Sequence, residues 1–232
     1  TGVATITAVM ANGEATIQIS KATDKDGNPM APNLNVSSFV IDTQAPTITN
    51  VTISPKKAKA GTVAVTIDFA DLSSLDSASS PAVTFTPANA AASVPFTQTL
   101  YDTATKQWKG TAQIESGTKE GPAMIALKGI VDAAGNAMKA IDKVGEFLID
   151  VTPPAAFALI SPKNESWNRN ADVVFSWEAS TDAISGLSHY QLTLDGVVYQ
   201  ENIPPDKTSL APPKTLLDGE HTWLVRAFDP AG

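Results

Sequence analysis

Apolar and polar residues alternate over short stretches of this chain, and the alternation predicts β-strands. The clearest stretch is 63–69, where Val, Ile and Phe take every second position. This pattern is typical of a strand with one buried face. Six more candidate strands follow the same rules: 48–53, 83–86, 96–101, 107–114, 123–130 and 144–149. No window has a convincing helical period, so seven short strands predict an all-β sandwich in the middle of the chain.

The strand pattern is repeated along the chain. Residues 1–46 recur without a gap as residues 109–154, at an offset of 108. The matched pairs include glycines, core positions and turn residues: Gly13/Gly121, Ile17/Ile125, Asp24/Asp132, Gly27/Gly135 and Asp42/Asp150. A looser third copy contains Gly219, Trp223, Val225, Asp229 and Gly232. The chain is therefore predicted to be a tandem array.

The repeat also predicts the domain boundaries. Residues 1–44 are expected to form a partial module that holds its last strands only. Residues 45–152 form a complete module, and residues 153–232 form a module without its final strand. The unpaired sheet edges that result would be completed by other parts of the same parent chain or by a strand donated from another copy.

Composition limits the classes of partner. Hydrophobic residues make up 43% of the chain, enough for a core in each complete module, and the absence of cysteine leaves stability to packing. The net charge of −8 argues against binding to nucleic acid, because no basic surface is available for phosphates. No apolar run is long enough to span a bilayer, so we expect no membrane insertion in this segment.

Two modules resemble known families. The middle module has Asp102 and Trp108 around a hairpin, then Gly121, 131–136 and 147–150 before a proline pair. In these features it resembles the bacterial Ig-like domains that form tandem stalks of surface proteins. The last module resembles a fibronectin type III domain through 174–177, 186–190 and 217–227. It departs from that family at the tyrosine corner, where His221 and Trp223 are the nearest aromatic residues.

The resemblance implies tandem immunoglobulin-like and fibronectin type III-like β-sandwiches at an extracellular or cell-surface location. The implied function is a non-enzymatic stalk, and an adhesion module, of a large bacterial protein. The alternative is an accessory region, carbohydrate-binding or spacer, of an extracellular polysaccharide-degrading enzyme. The expected partners are neighbouring modules, other copies of the chain, and a surface glycan or protein.

The sequence contains no pattern typical of a catalytic centre. It has no zinc-binding helix, no nucleophile elbow, no phosphate loop and no cysteine. The histidines, His189 and His221, lack the spacing of metal ligands and are interpreted as structural or surface residues. We therefore expect no catalytic residue in this chain.

Aspartates recur at positions that the sandwich topology places at one end of each module. In an Ig-like sandwich the start of the first strand, the turn after the second and the turn before the last lie at the same end. The middle module has Asp42, Asp71 and Asp132 there, and the last module has Asp150, Asp182 and Asp229. Such convergence would suit Ca²⁺ at the module junctions. Aspartate is also favoured in turns for its own hydrogen bonds, and that alternative stays open.

Three smaller features have two interpretations each. The segment 24–28 has the start of a calcium loop, but Asn35 stands where such a loop needs glutamate, which favours a hairpin turn. The junction prolines either stiffen the links or only end a strand. Trp167 lies in a polar loop, where its indole would stack on a sugar or cover the end of a sandwich. Trp108, Trp177 and Trp223 are predicted to be core residues.

Overall fold

The computed structural model describes residues 12–19, 23–29, 33–88, 90–169, 173–211 and 216–232. These residues form strands, turns and loops, so the all-β fold class predicted from the sequence is confirmed. No helix within them is long and apolar enough to cross a membrane.

The middle of the chain folds into two facing antiparallel sheets. The first sheet has the order β3-β5-β9-β8 and the second β4-β11-β10-β6-β7, with the short β4 paired in parallel to β11. The strands are β3 (Thr47–Ser54), β4 (Lys57–Ala58), β5 (Gly61–Ala70), β6 (Ala82–Pro87), β7 (Val94–Pro95), β8 (Thr97–Asp102), β9 (Gln107–Ile114), β10 (Gly121–Lys128) and β11 (Ile141–Ile149). All seven predicted strands are present. The sequence pattern missed β4 and β7, which are too short to show a period.

The last part of the chain also forms two sheets, and the first part forms a strand pair. Residues after 154 form two three-stranded sheets, β12-β13-β16 and β15-β14-β17. Their strands are β12 (Leu159–Ser161), β13 (Phe175–Trp177), β14 (His189–Leu194), β15 (Val197–Ile203), β16 (Ser209–Leu210) and β17 (Trp223–Phe228). Before residue 42, β1 (Gly13–Ile19) and β2 (Asn33–Ile41) form an antiparallel pair.

The sequence repeat is also a repeat of strand register. Gly13 pairs with Ile41 and Ala15 with Phe39 in the first hairpin. The counterparts of all four residues at the offset of 108 pair in the same way in β10 and β11, with a register shift at the same place. The third copy differs, because β17 begins at Trp223 whereas β10 begins at the glycine that matches Gly219.

The middle sandwich is closed by a cluster of aromatic side chains. Phe85 packs edge-to-face on Phe96 and Phe147, at ring distances of 5.5 and 5.3 Å. Trp108 is fully buried against Phe96, and its indole donates to the side-chain oxygen of Gln98. The ring of Trp108 lies over Gly110, where a Cβ would overlap it. Glycine is therefore required two positions after this tryptophan.

The last sandwich has a separate core. It is built from Phe175, Trp177, Tyr190, Leu192 and Ile203, with Trp223 and others packed against it. Tyr190 lies at the centre, with ring distances of 5.5 Å to Trp177 and 5.6 Å to Phe157. The core positions predicted for Trp108, Trp177 and Trp223 are thus confirmed.

Replacing Gly110 by alanine is expected to destabilise the middle sandwich. The added methyl group forces the Trp108 ring out of its packed position, and overpacking of this kind costs about 1–3 kcal/mol. Urea denaturation followed by tryptophan fluorescence measures the change. Gly117→Ala is the matched control, since no atom lies within 4 Å of its added methyl. Equal stability of the two variants would contradict the packing argument.

In the chain taken alone, limited proteolysis is expected to cut within residues 1–44 before it cuts within 45–152. Phe39 is 41% exposed in the first hairpin, whereas its repeat counterpart Phe147 is 3% exposed between two sheets. An element with little buried apolar surface opens more readily. Mass spectrometry of the fragments identifies the first cuts. Equal protection of both regions in dilute monomer would show that the first hairpin is stable by itself.

Candidate functional site

The sandwich topology gives each module two ends with different loops. We call the end where the first strand begins the leading end and the opposite one the trailing end. In the middle module the leading end holds the turns after β5 and after β10, and the trailing end holds residues 55–60 and 115–120. In the last module the leading end holds residues 181–188 and 229–232, and the trailing end holds residues 162–169 and 216–222.

The six aspartates singled out in the sequence lie in two groups at the leading ends. We call Asp42, Asp71 and Asp132 the first trio, and Asp150, Asp182 and Asp229 the second trio. Within each trio one carboxylate oxygen per residue lies within 4.8 Å of the others. The linker supplies one member of each trio, and the two turns supply the others. Topology thus places the carboxylates together as expected from the sequence.

The first trio is held by backbone amides. Asp42 accepts from the amides of Gln44 and Ser73, at 3.1 Å each. Asp71 accepts from the amide and the hydroxyl of Ser73, at 3.2 and 2.9 Å. Asp132, which is buried, accepts from the amide and the side-chain nitrogen of Asn136, at 2.7 and 2.8 Å. The turn amides therefore fix the carboxylates in position.

The second trio repeats this arrangement. Asp150, also buried, accepts from the amides of Thr152 and Ser185, at 3.3 and 3.1 Å. Asp182 accepts from three successive amides, those of Ile184, Ser185 and Gly186. Asp229 accepts from the last two amides of the chain, at 2.6 and 2.8 Å. Each linker aspartate thus bonds its own linker through one oxygen and a loop of the following module through the other.

The linkers are also bonded to the preceding modules. The amide and hydroxyl of Thr43 donate to the side-chain oxygen of Asn12, at 3.1 and 2.8 Å. The amide of Val151 donates to the carboxylate of Glu120 at 2.9 Å. Asn12 and Glu120 occupy the same place in the repeat, directly before Gly13 and Gly121. This pair does not stand out in the strand pattern of the sequence, although its position before a repeated glycine is a signal that could identify it.

In the first trio the pKa values of Asp71 and Asp42 are shifted in opposite directions. Burial raises the pKa of Asp71, and the negative charges of Asp42 and Asp132 raise it further, against the hydrogen bonds from Ser73. For Asp42 burial also acts to raise the pKa, but the hydrogen bonds from Gln44 and Ser73 outweigh it and the pKa is lowered. Asp71 therefore takes up a proton more readily than Asp42.

The ion pairs that the structure describes, Lys143–Glu146 and His221–Asp195, lie outside both trios. Lysines do approach the trio loops, but they donate to carbonyl oxygens: Lys106 to Asp71 at 2.5 Å and Lys59 to Gly232 at 2.6 Å. Beside the second trio a cleft of about 270 Å³ lies between the modules, lined by Lys59, Asp150, Asp229 and others. The carboxylates thus lie together without a described side-chain cation on them.

The segment 24–28 folds as a turn, which confirms the hairpin interpretation. Asp24 accepts from the amides of Asp26 and Asn28 and from the side-chain nitrogen of Asn28, at 2.9 Å each. These bonds lower the pKa of Asp24, with the side chain of Asn28 as the largest cause. The bonds from Asn28 match those that Asn136 makes to Asp132 in the middle module.

Trp167 lies at the trailing end of the last module and is 100% exposed. The interpretation that its ring covers the end of the sandwich is therefore wrong, because the polar loop carries the ring away from the core. Stacking on a sugar stays a prediction.

The histidines have separate surroundings. His189 stacks on Phe228 at a ring distance of 4.8 Å. His221 contacts Asp195 Oδ2 through Nδ1 at 2.8 Å and the carbonyl of Leu217 through Nε2 at 2.9 Å. Both partners of His221 are acceptors, so both bonds form only when the imidazole carries two protons. The bond to the Leu217 carbonyl, followed by that to Asp195, raises the pKa of His221.

Comparisons with known proteins give a fold likeness only. No family model matches the chain, and no curated protein matches it. Among solved structures it is similar to the chicken CNTN1 FN1-FN3 domains, with 12% sequence identity, a TM-score of 0.47, and coverage of 91% of this chain and 69% of that one. The sandwich architecture stands on the strand pairing of the chain itself.

The His221 contact predicts a pH dependence for the last module. A histidine whose pKa is higher in the folded than in the unfolded state stabilises the fold below its unfolded pKa. That contribution is lost as the pH rises through the folded pKa. We expect the melting temperature to fall as the pH rises above the ordinary histidine pKa of about 6.5, and His221→Gln to remove this slope. Calorimetry of the chain, with His189→Gln as control, measures it. An unchanged slope in His221→Gln would show that other groups cause it.

Proposed function

We propose that this chain is a non-enzymatic spacer of tandem β-sandwiches, part of a large extracellular bacterial protein, and that calcium at the trios stiffens its junctions. The observation that carries the proposal is the recurrence of three carboxylates, within 4.8 Å of one another, at both junctions. The bacterial surface location follows from the family resemblance of the sequence.

The ligand chemistry favours a hard cation. Ca²⁺ binds oxygen ligands, taking about 6–8 of them in flexible geometry. The amide bonds occupy one oxygen each of Asp71, Asp182 and Asp229, and the second oxygen has no amide partner among the described residues. Carbonyl oxygens of the loops and water would complete the shell.

The arrangement also differs from that of ordinary turn aspartates. An aspartate that only caps a turn needs its own loop amides and no second carboxylate nearby. In the first trio the neighbouring charges raise the pKa of Asp71 after the effect of burial, so proximity destabilises the charged form. A cation would reverse this effect. At the first trio this supports a shared ligand over three separate turns.

The spacer role rests on the linkers. A flexible linker would leave its backbone to water, whereas residues 42–44 and 150–152 are bonded to the modules on both sides. Proline follows at Pro46 and at Pro153 and Pro154, where it fixes φ and restricts the chain. Short bonded linkers suit a protein that holds modules at a defined angle.

Calcium is expected to raise the melting temperature of the chain and EDTA to lower it. A ligand bound only by the folded state stabilises it by about 2.7 kcal/mol at a hundred times its Kd. For a domain of roughly 100 residues this corresponds to about 10 °C or more. Differential scanning calorimetry of the chain in EDTA and in calcium measures the shift. Asp42→Ala and Asp150→Ala, each in one trio, should each remove part of it, and the exposed Asp142→Ala on β11 should not.

The Asp71→Asn variant distinguishes a metal site from a set of turns that bind no ion. Without calcium at neutral pH, this variant should be as stable as the unchanged chain or more stable. The reason is that a carboxylate with a raised folded pKa destabilises the fold once it is ionised. In calcium the order should reverse, because the variant loses a ligand. An unchanged melting curve in EDTA and in calcium, for the chain and for Asp71→Asn alike, would refute the calcium proposal.

A further inference from the structure

The two trios differ at one serine hydroxyl. Ser73 at the first trio and Ser185 at the second occupy the same place, because the amide of each donates to the linker aspartate and to the turn aspartate of its trio. The hydroxyl of Ser73 also donates to Asp71, at 2.9 Å. The hydroxyl of Ser185 is shielded from solvent and has no hydrogen-bond partner in the part of the chain that the structure describes. One of two equivalent hydroxyls is thus buried without a partner.

The difference follows from the length of the turn. Ser73 lies two residues after Asp71, whereas Ser185 lies three residues after Asp182. In the longer turn three successive amides donate to Oδ1 of Asp182, at 3.0, 2.8 and 2.9 Å. This is the oxygen that accepts from the serine amide, and in the first trio the same oxygen also accepts from the serine hydroxyl. At the second trio its place is taken by backbone amides, so the Ser185 hydroxyl has no acceptor there.

The backbone of Ser185 holds this hydroxyl beside the second trio. Its amide donates to Asp150 at 3.1 Å and to Asp182 at 2.8 Å, and its carbonyl accepts from Lys57 of the middle module at 3.2 Å. Covalent geometry keeps a serine hydroxyl within about 4 Å of its own amide nitrogen. The hydroxyl therefore lies close to both carboxylates, and the three bonds oppose a movement of the backbone that would turn it toward water.

We propose that the Ser185 hydroxyl is a ligand of the ion at the second trio. A buried hydroxyl without a partner costs free energy, and a cation beside the carboxylates binds its oxygen. Ca²⁺ takes neutral oxygens as well as carboxylates among its about 6–8 ligands. The second trio then supplies oxygens from four side chains, whereas at the first trio the corresponding hydroxyl bonds Asp71. This inference rests on the calcium proposal and adds a ligand that belongs to the second junction alone.

Ser185→Ala in an Asp42→Ala chain tests the ligand, because Asp42→Ala disrupts the first trio and leaves the second intact. Isothermal titration with calcium should show a Kd raised by about tenfold, near the lower end for groups that support a metal site, since water replaces the hydroxyl. Tb³⁺ is a probe for the same oxygen site. Its luminescence lifetimes in ordinary and heavy water count the bound water molecules, and this count should rise by one.

Ser188→Ala is the matched control. Ser188 lies in the same loop, and its hydroxyl contacts Nδ1 of His189 at 3.1 Å. Its replacement should change neither the Kd for calcium nor the number of water molecules on Tb³⁺. In EDTA, Ser185→Ala should melt no lower than the Asp42→Ala chain, because it removes a buried hydroxyl that has no partner. In calcium it should melt lower.

The outcomes distinguish this inference from the calcium proposal. If calcium binds and Ser185→Ala leaves the Kd and the water count unchanged, the hydroxyl is not a ligand and the calcium proposal stands. The same holds if the Kd rises while the water count stays constant, since the hydroxyl then acts only on the structure of the loop. If the Asp42→Ala chain binds neither calcium nor Tb³⁺, both proposals are refuted at this junction.

Discussion

The junctions depend on one requirement. A carboxylate that is removed from water must accept hydrogen bonds from the protein. Asp150 is buried, and the amides that satisfy it belong to its own linker and to a loop of the next sandwich. Asp42 is bonded in the same way at the first junction. Burying an unpaired charge costs free energy. The loop of each following module must therefore lie where its amide can donate to the linker aspartate. The same bonds that satisfy a side chain therefore set how successive modules meet.

This constraint explains why the repeat extends beyond the strands. Apolar strand positions such as Phe39/Phe147 and Ile41/Ile149 repeat, and so do turn positions such as Asp24/Asp132. The strand positions supply apolar side chains to a sandwich. The turn aspartates accept the same bonds, from the amide and the side-chain nitrogen of Asn28 and Asn136 respectively.

The loops at the two ends of a module differ in how far their sequences are constrained. Leading ends are tied to the trios, whereas the loop after the first strand, at the trailing end, carries different side chains in the middle and last modules. In the middle module this loop carries lysines that donate to carbonyls of the next module, and in the last module it carries an exposed tryptophan. One scaffold thus presents a polar contact in one place and an apolar ring in another.

The sequence by itself determined the strands, the repeat and the set of aspartates. Period-two alternation identifies a strand such as β5 because one face must be buried, and a fixed topology brings the turns of a sandwich to one end. The tertiary structure decided what depends on contacts between distant residues. The two-residue β4 is too short for a period, and the bond from Val151 to Glu120 joins residues far apart in sequence. The exposure of Trp167 was also undecided by the sequence, since a loop residue can turn toward the core or away from it, and only the packing around it settles which.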